Sequence, residues 1–256
     1  MSNLFGMDEL RNCGYTKELI RLLVQDPRVF FENYTGMKVD DKTIRPKMNV
    51  GFEASFKLIS EGKSHLLYNP RQTGSTFYLA SIALWAKYFC PDVKVSHIIR
   101  YKNLKRYLMD IYDKIDDFIP NEIKELTNHK YTKEVSNVFR NNGIKYLYII
   151  DEFEFLSNDD IEDILQDIIE DNQIMIIGAS TINRELKPEL VNKIANSVHW
   201  ITTLPVVGDP IPRDKIIGLK FPIEYFYSNI GIEKQKALLD YEHNPEVYNA
   251  EILRIR

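Results

Sequence analysis

A chain of 256 residues and 30.0 kDa, 44% hydrophobic and 12% aromatic, carries enough apolar side chains for one large core and excludes global disorder. Its formal charge of −4 and pI near 5.8 exclude a surface basic throughout, though not a local basic patch. Cys13 and Cys90 form neither a disulfide framework nor a metal-ligand spacing and are expected as free thiols. Met1–Asn12 is charged without an apolar run, and no window approaches the roughly 18 apolar residues of a membrane span, so an intracellular protein without secretory leader or membrane anchor is expected.

In chain order, residues 8–24 predict a helical lead-in, with Leu19, Ile20, Leu22 and Leu23 clustered in its second half. Asp26-Pro27 is expected to break it, and Val29–Tyr34 to form an aromatic anchor. Thr35–Asn49 is polar, contains Pro46 and reads as a loop or irregular arm. Phe52, Phe56 and Ile59 then recur at helical spacing. Ser64–Tyr68 is a short apolar run, followed by NPRQTGST and by FYLASIALWAKYF with helical period, which gives strand, tight loop, helix. Val93–Ile99 predicts a second strand and Leu104–Ile115 a helix, while residues 116–143 are polar and carry no clear pattern. Tyr146–Ile150 is a strand too short for a helix, Asp159–Glu170 an amphipathic helix, Ile174–Ile177 a buried strand ended by Gly178, and Val198–Ile201 a last strand. Beyond Leu204, Pro205, Pro210, Pro212 and Pro222 with Gly208 and Gly218 predict a loop-rich segment, with a helical piece near Glu233–Leu239. The expected organisation is a lead-in over 1–50, an α/β core over 51–204 and a loop-rich extension over 205–256. Near-continuous apolar strands alternating with helices predict a mostly parallel sheet covered on both faces.

The octet Asn69–Thr76 carries the first chemistry. Phosphate groups are held by successive backbone N–H groups of a tight loop, a helix N-terminus, a cation and a hydroxyl that binds Mg²⁺. Gly74 stands where the loop must turn against the helix, and Thr76 where the metal-binding hydroxyl belongs. The usual fingerprint ends in Gly-Lys-Ser/Thr; here Ser75 occupies the lysine position and the first glycine is missing. The cation near enough to replace that lysine is Arg71, whose guanidinium forks onto two phosphate oxygens. Arg71, Gln72, Thr73, Gly74, Ser75 and Thr76 are therefore the candidate nucleotide-binding residues.

The second element is YLYII-DE, a buried strand ending in two carboxylates. In this Walker B arrangement Asp151 is expected to hold Mg²⁺ through water, with Thr76 as the metal-binding hydroxyl, and Glu152 to polarise the attacking water. An intervening strand and helix separate loop from acidic pair, as a P-loop ATPase with an added central strand requires. The expected fold is thus α/β, a P-loop NTPase of the ASCE type, with both sites at the carboxyl edge of the sheet. Ser180 and Thr181, at the tip of the strand after the acidic pair, are candidate sensors of the γ-phosphate.

At these residues the chain resembles the ATPase domain of tailed-bacteriophage terminase large subunits, the viral DNA-packaging motors. DPRVFFENY resembles that family's Asp-Pro-x-x-Phe-Phe opening, PRQTGST its Arg-Gln-x-Gly-x-Ser/Thr variant of Walker A, YIIDEFEFL its Walker B strand, and IMIIGAST stands in the place of its coupling motif. The resemblance implies ATP hydrolysis with ATP and Mg²⁺, driving double-stranded DNA into a prohead in the host cytoplasm. It also implies a homo-oligomeric ring, a pentamer, on a portal protein, working with a small terminase subunit. In some members the arginine that matches Arg71 acts as a cis finger, which makes Arg71 a catalytic candidate beside Glu152. The family often reads adenine with a glutamine before the loop strand; Glu53 stands near that place, and a carboxylate cannot both donate and accept. The family's RNase H-like nuclease domain is not expected in these residues, which implies an excised ATPase domain or a separate nuclease subunit. The rival readings are a catalytically weak nucleotide-binding assembly subunit, suggested by Ser75 and Glu53, and a helicase- or recombination-type ATPase.

Other polar residues receive plainer readings. Arg100, Lys102, Lys105 and Arg106 are expected to solvate a helix more than to touch DNA phosphates. Arg184 and Arg213 read as surface arginines more than as trans-acting fingers in a ring, His65 and His97 as core or edge residues, and Trp85 as core.

Overall fold

The computed structural model describes residues 16–39, 42–68, 74–99, 102–153, 156–180, 197–202 and 216–218. Helix α1 (Thr16–Gln25) buries Ile20, Leu23 and Val24, the face on which the apolar residues recur. Pro27 does not end helical structure there, as the sequence suggested, but starts a second helix, α2 (Pro27–Tyr34). A proline at the first helical position gives up an N–H that would have no partner, and the Asp26 side chain caps the Arg28 N–H at 2.9 Å. Thr35–Asn49 is likewise more regular than expected. Strand β1 (Met37–Val39) pairs antiparallel with β2 (Lys42–Ile44). Neither strand buries a side chain, so no apolar alternation marks the hairpin.

Helix α3 (Val50–Ser60) is capped by Asn49, whose side chain accepts from the Phe52 N–H, and leads into β3 (His65–Tyr68). Helix α4 (Ser75–Phe89) comes after the loop, then β4 (Lys94–Ile98) and α5 (Lys102–Phe118). Residues 116–143, which showed no pattern, fold as the end of α5 and as short helical pieces: α6 (Asn121–Glu125), a 3₁₀ turn (Leu126–Asn128), α7 (Lys130–Glu134) and α8 (Val138–Asn141). Each holds on by one or two buried side chains, among them Ile123, Leu126, Val138 and Phe139, too few to set a period. The chain continues through β5 (Tyr146–Ile150), α9 (Asn158–Glu170), β6 (Ile174–Ser180), β7 (His199–Thr202) and β8 (Ile216–Gly218).

Among the described residues the central sheet has the order β4-β5-β6-β3-β7-β8, every pair parallel. Strand β6, which comes after the acidic strand in sequence, therefore lies between the loop strand β3 and the acidic strand β5 in space. The strand that intervenes in sequence, β4, is at the sheet's edge. β8 was not foreseen, since it sits in the segment read as loop-rich. The other expectations beyond Leu204, including the helical piece near Glu233–Leu239, fall outside the described residues.

One face of the sheet, with Leu67, Leu147, Ile149, Met175 and Ile177, joins the larger core with α3, α4 and α5. The other, with Leu66, Ile150, Ile176 and Trp200, packs against Ile161, Ile164 and Leu165 of α9. Helix α4 lies between the sheet and an outer layer, so it is apolar almost all round; Trp85 is fully buried and its indole N–H donates to the Leu23 carbonyl at 2.6 Å. Gly178 does not end β6 but sits within it. A Cβ there would meet Leu66 Cδ2 at 2.6 Å and the Ile150 carbonyl at 3.0 Å, so glycine is what lets β3, β5 and β6 close up. Among the described residues no helix is long and apolar enough to cross a membrane.

Candidate nucleotide-binding site

Parallel pairing brings the ends of β3, β5 and β6 to one edge. Tyr68 is level with Ser180, and Ile150, the residue before Asp151, is level with Gly178. Ligands of open α/β sheets bind outside this carboxyl edge.

On the loop side, Gly74 is the cap residue of α4 with φ 83° and ψ 18°, in the left-handed region. A Cβ at Gly74 would meet nothing within 4 Å, so the backbone conformation, not lack of space, calls for glycine. Its carbonyl accepts the Tyr78 N–H at 2.9 Å, which starts the helix with the N–H groups of the first turn facing the loop. Thr76, in that turn, donates from Oγ1 to Asp151 Oδ2 at 2.8 Å. This bond joins two residues 75 positions apart and sets the loop helix against the acidic strand. The other Asp151 oxygen, Oδ1, accepts the Glu152 N–H at 3.1 Å. Glu152 has φ 54°, a left-handed conformation that costs a non-glycine residue on the order of 1 kcal/mol and concentrates at functional sites. The next few residues hold it there. Phe153 and Leu156 are buried in the smaller core, and Ser157 opens α9 with a capping box to Asp160. A hydroxyl and a carboxylate oxygen converging at a helix N-terminus is a hard-oxygen donor pair of the kind Mg²⁺ takes beside water and phosphate. Thr76 and Asp151 fit that ion.

Beneath the loop lies a polar feature that the sequence motifs do not reveal. Ser55 of α3, His65 of β3 and Tyr78 of α4 are all fully buried. His65 Nδ1 is 2.9 Å from the Lys63 carbonyl, which can only accept, so Nδ1 carries the proton and Nε2 is the acceptor. Ser55 then donates to Nε2 at 2.5 Å, and Tyr78 donates to Ser55 Oγ at 2.6 Å. Every member has a partner and the direction of each bond is fixed. Burial pulls the His65 imidazole down to about 4, which keeps it neutral at physiological pH. Burial likewise pushes the Tyr78 phenol above its ordinary range. His65 is buried, as its place in a strand run suggested, and Ser55 shares the apolar face of Phe52, Phe56 and Ile59, but nothing in the sequence joins these two to Tyr78. The Tyr78 ring stacks on Phe52, centroids 4.4 Å apart and planes within 6°, and meets Phe31 and Phe56 edge-on. DPRVFFENY thus supplies Phe31 to the packing under the loop helix.

The remaining candidates are less gathered. Ser180 ends β6 and is partly buried. Glu53 is exposed on the first turn of α3. Lys105 and Arg106 are exposed on α5, while His97, on the edge strand β4, packs edge-to-face on Tyr112 with centroids 5.9 Å apart. Cys90 is a buried free thiol. Arg71, Gln72, Thr73, Thr181, Arg100, Arg184, Arg213 and Cys13 lie outside the described residues.

No protein-family model matches the sequence, and no curated protein matches it. Among solved structures, a chain from Drosophila ORC bound to AT-rich DNA and Cdc6 is similar, with 11% identity and a TM-score of 0.31 over 93% of this chain and 76% of that one. A likeness of that size carries no argument. The fold is α/β, a parallel sheet packed with helices on both faces, with β6 between the loop strand β3 and the acidic strand β5.

Proposed function

We propose that the protein hydrolyses a nucleoside triphosphate, ATP by resemblance, at the edge where β3, β5 and β6 end. The observation that carries this reading is the 2.8 Å hydrogen bond from Thr76 to Asp151, which joins a helix-capping phosphate loop to a strand-tip carboxylate. In the proposed reaction the backbone N–H groups of Gln72–Thr76 and the Arg71 guanidinium hold the phosphates. Thr76 and Asp151 would hold Mg²⁺, which when bound would offset the negative charge of the phosphates. Glu152 orients a water on the γ-phosphorus and takes its proton as the new P–O bond forms and the bond to the β-phosphate oxygen breaks, releasing ADP and phosphate. Ser180 and Thr181 are the proposed sensors of the departing phosphate.

The work done by that hydrolysis is proposed from the motifs. DPRVFFENY, PRQTGST and YIIDEFEFL together favour a motor that drives double-stranded DNA into a viral prohead, as a ring on a portal with a small terminase subunit. Ser75 in the lysine position favours a second reading, an assembly subunit that binds nucleotide and turns it over weakly. ATP turnover measured with and without linear double-stranded DNA separates the two. The motor reading expects turnover that rises with DNA and is lost in Arg71→Ala; turnover absent with DNA and portal present leaves the assembly reading. Strand separation in place of linear translocation would indicate a helicase.

A further inference from the structure

We propose that Ser55, His65 and Tyr78 are positioning residues for the phosphate loop, a buried relay that holds both of its stems against α3 before nucleotide arrives. The inference rests on the nucleotide-binding reading above. The loop runs between β3 and α4, and the relay has one member on each: His65 at the start of β3 and Tyr78 one turn past Gly74. Ser55 bridges them from α3, accepting from Tyr78 at 2.6 Å and donating to His65 at 2.5 Å. The chain of bonds ends on the backbone, at the Lys63 carbonyl that precedes β3, so it has no slack at that end.

Tyr78 is the member that reaches the site. Its N–H is bonded to the Gly74 carbonyl, and its ring is fixed by Phe31, Phe52 and Phe56. Locking the phenol to Ser55 sets the rotation of the first turn of α4 about its axis. That rotation decides where Thr76 Oγ1 and the N–H groups of the turn point. A buried polar chain with every donor and acceptor matched specifies one arrangement, because any slip leaves a polar group unsatisfied in the core. The relay thereby removes an ordering cost that nucleotide binding would otherwise carry. Its members touch no phosphate; they act through Thr76 and the loop backbone.

The test measures Mg-ATP affinity and melting temperature together, in the full chain, for Tyr78→Phe, Ser55→Ala, the double variant and Thr132→Val. Thr132 is a buried hydroxyl bonded to the Leu126 carbonyl at 2.5 Å on a different part of the core, so it reports the stability cost of losing a buried hydroxyl bond alone. The expected result is a roughly fivefold weaker Kd for Tyr78→Phe, with no change for Thr132→Val at a comparable drop in Tm. The double variant should lose no more affinity than Ser55→Ala, since both substitutions break one chain. Tm lowered alike in all variants with Kd unchanged makes the relay purely structural and overturns the proposal while wild-type binding still upholds the nucleotide site. Wild-type protein that fails to bind Mg-ATP overturns both.

Discussion

The two sides of the site are built differently. The loop side, β3 and α4, is tied by directed hydrogen bonds between fully buried polar groups, His65 to Ser55 to Tyr78. The acidic side, β5 and its exit, is held by apolar anchors, Ile150, Phe153 and Leu156, around a strained Glu152 backbone. Polar ties fix a rotation and fail when a group changes its protonation. Apolar anchors tolerate protonation but not a change of volume. The side-chain bond between the halves, Thr76 to Asp151, is therefore registered by hydrogen-bond chemistry on one side and by packing on the other.

The largest expected effect breaks the loop side by acid. The His65 imidazole is near 4 when folded against 6.5 when free, so between those values the unfolded chain binds the proton and the folded chain does not. Its contribution is fully present above pH 6.5 and is lost as pH falls toward 4, amounting to about 3 kcal/mol. The groups facing it are the Ser55 hydroxyl, the Lys63 carbonyl and the neighbouring His199 on β7, whose charge would add to the effect. Denaturant unfolding of wild type and His65→Gln across pH 4–7 should show the slope in the first and a shallower one in the second; equal slopes would remove His65 as the source.

A smaller effect tests the acidic side by volume. Gly178→Ala places a Cβ against Leu66 and against the backbone carbonyl of Ile150, which the β5–β6 ladder holds in place. We expect a loss of about 1–3 kcal/mol with no pH dependence between 5 and 7, read by the same unfolding measurement. A neutral substitution would show that β5 and β6 can part without cost, and the account of how Asp151 is held would need revision.

Much of this was legible in sequence because strong signals coincided. Apolar runs at Ser64–Tyr68, Val93–Ile99 and Tyr146–Ile150 correspond to β3, β4 and β5, and the stripe over Asp159–Glu170 to α9. The strand order was not written there: which strand lies beside β3 is decided by crossovers, and β6 takes that place over β4. Elements that bury few side chains stayed hidden, as the β1–β2 hairpin and α6–α8 did. Pro27 misled because a proline breaks a helix interior but suits a helix start. Gly178 misled similarly, since a glycine in a strand can mark close backbone approach as well as an end. Motif spacing singled out Thr76 and Asp151, and the fold brings the two within hydrogen-bond distance of each other. The relay was not legible in this way, because a serine, a histidine and a tyrosine spread over 24 residues signal nothing until the fold brings them together.

The most direct test of the central claim compares Mg-ATP binding and single-turnover hydrolysis in wild type, Glu152→Gln and Thr76→Ala. A nucleotide site at this sheet edge predicts that Glu152→Gln keeps its affinity and loses roughly 100-fold or more in hydrolysis, while Thr76→Ala loses affinity for the Mg²⁺-bound nucleotide. Hydrolysis by Glu152→Gln at the wild-type rate, or unchanged binding by Thr76→Ala, would contradict it.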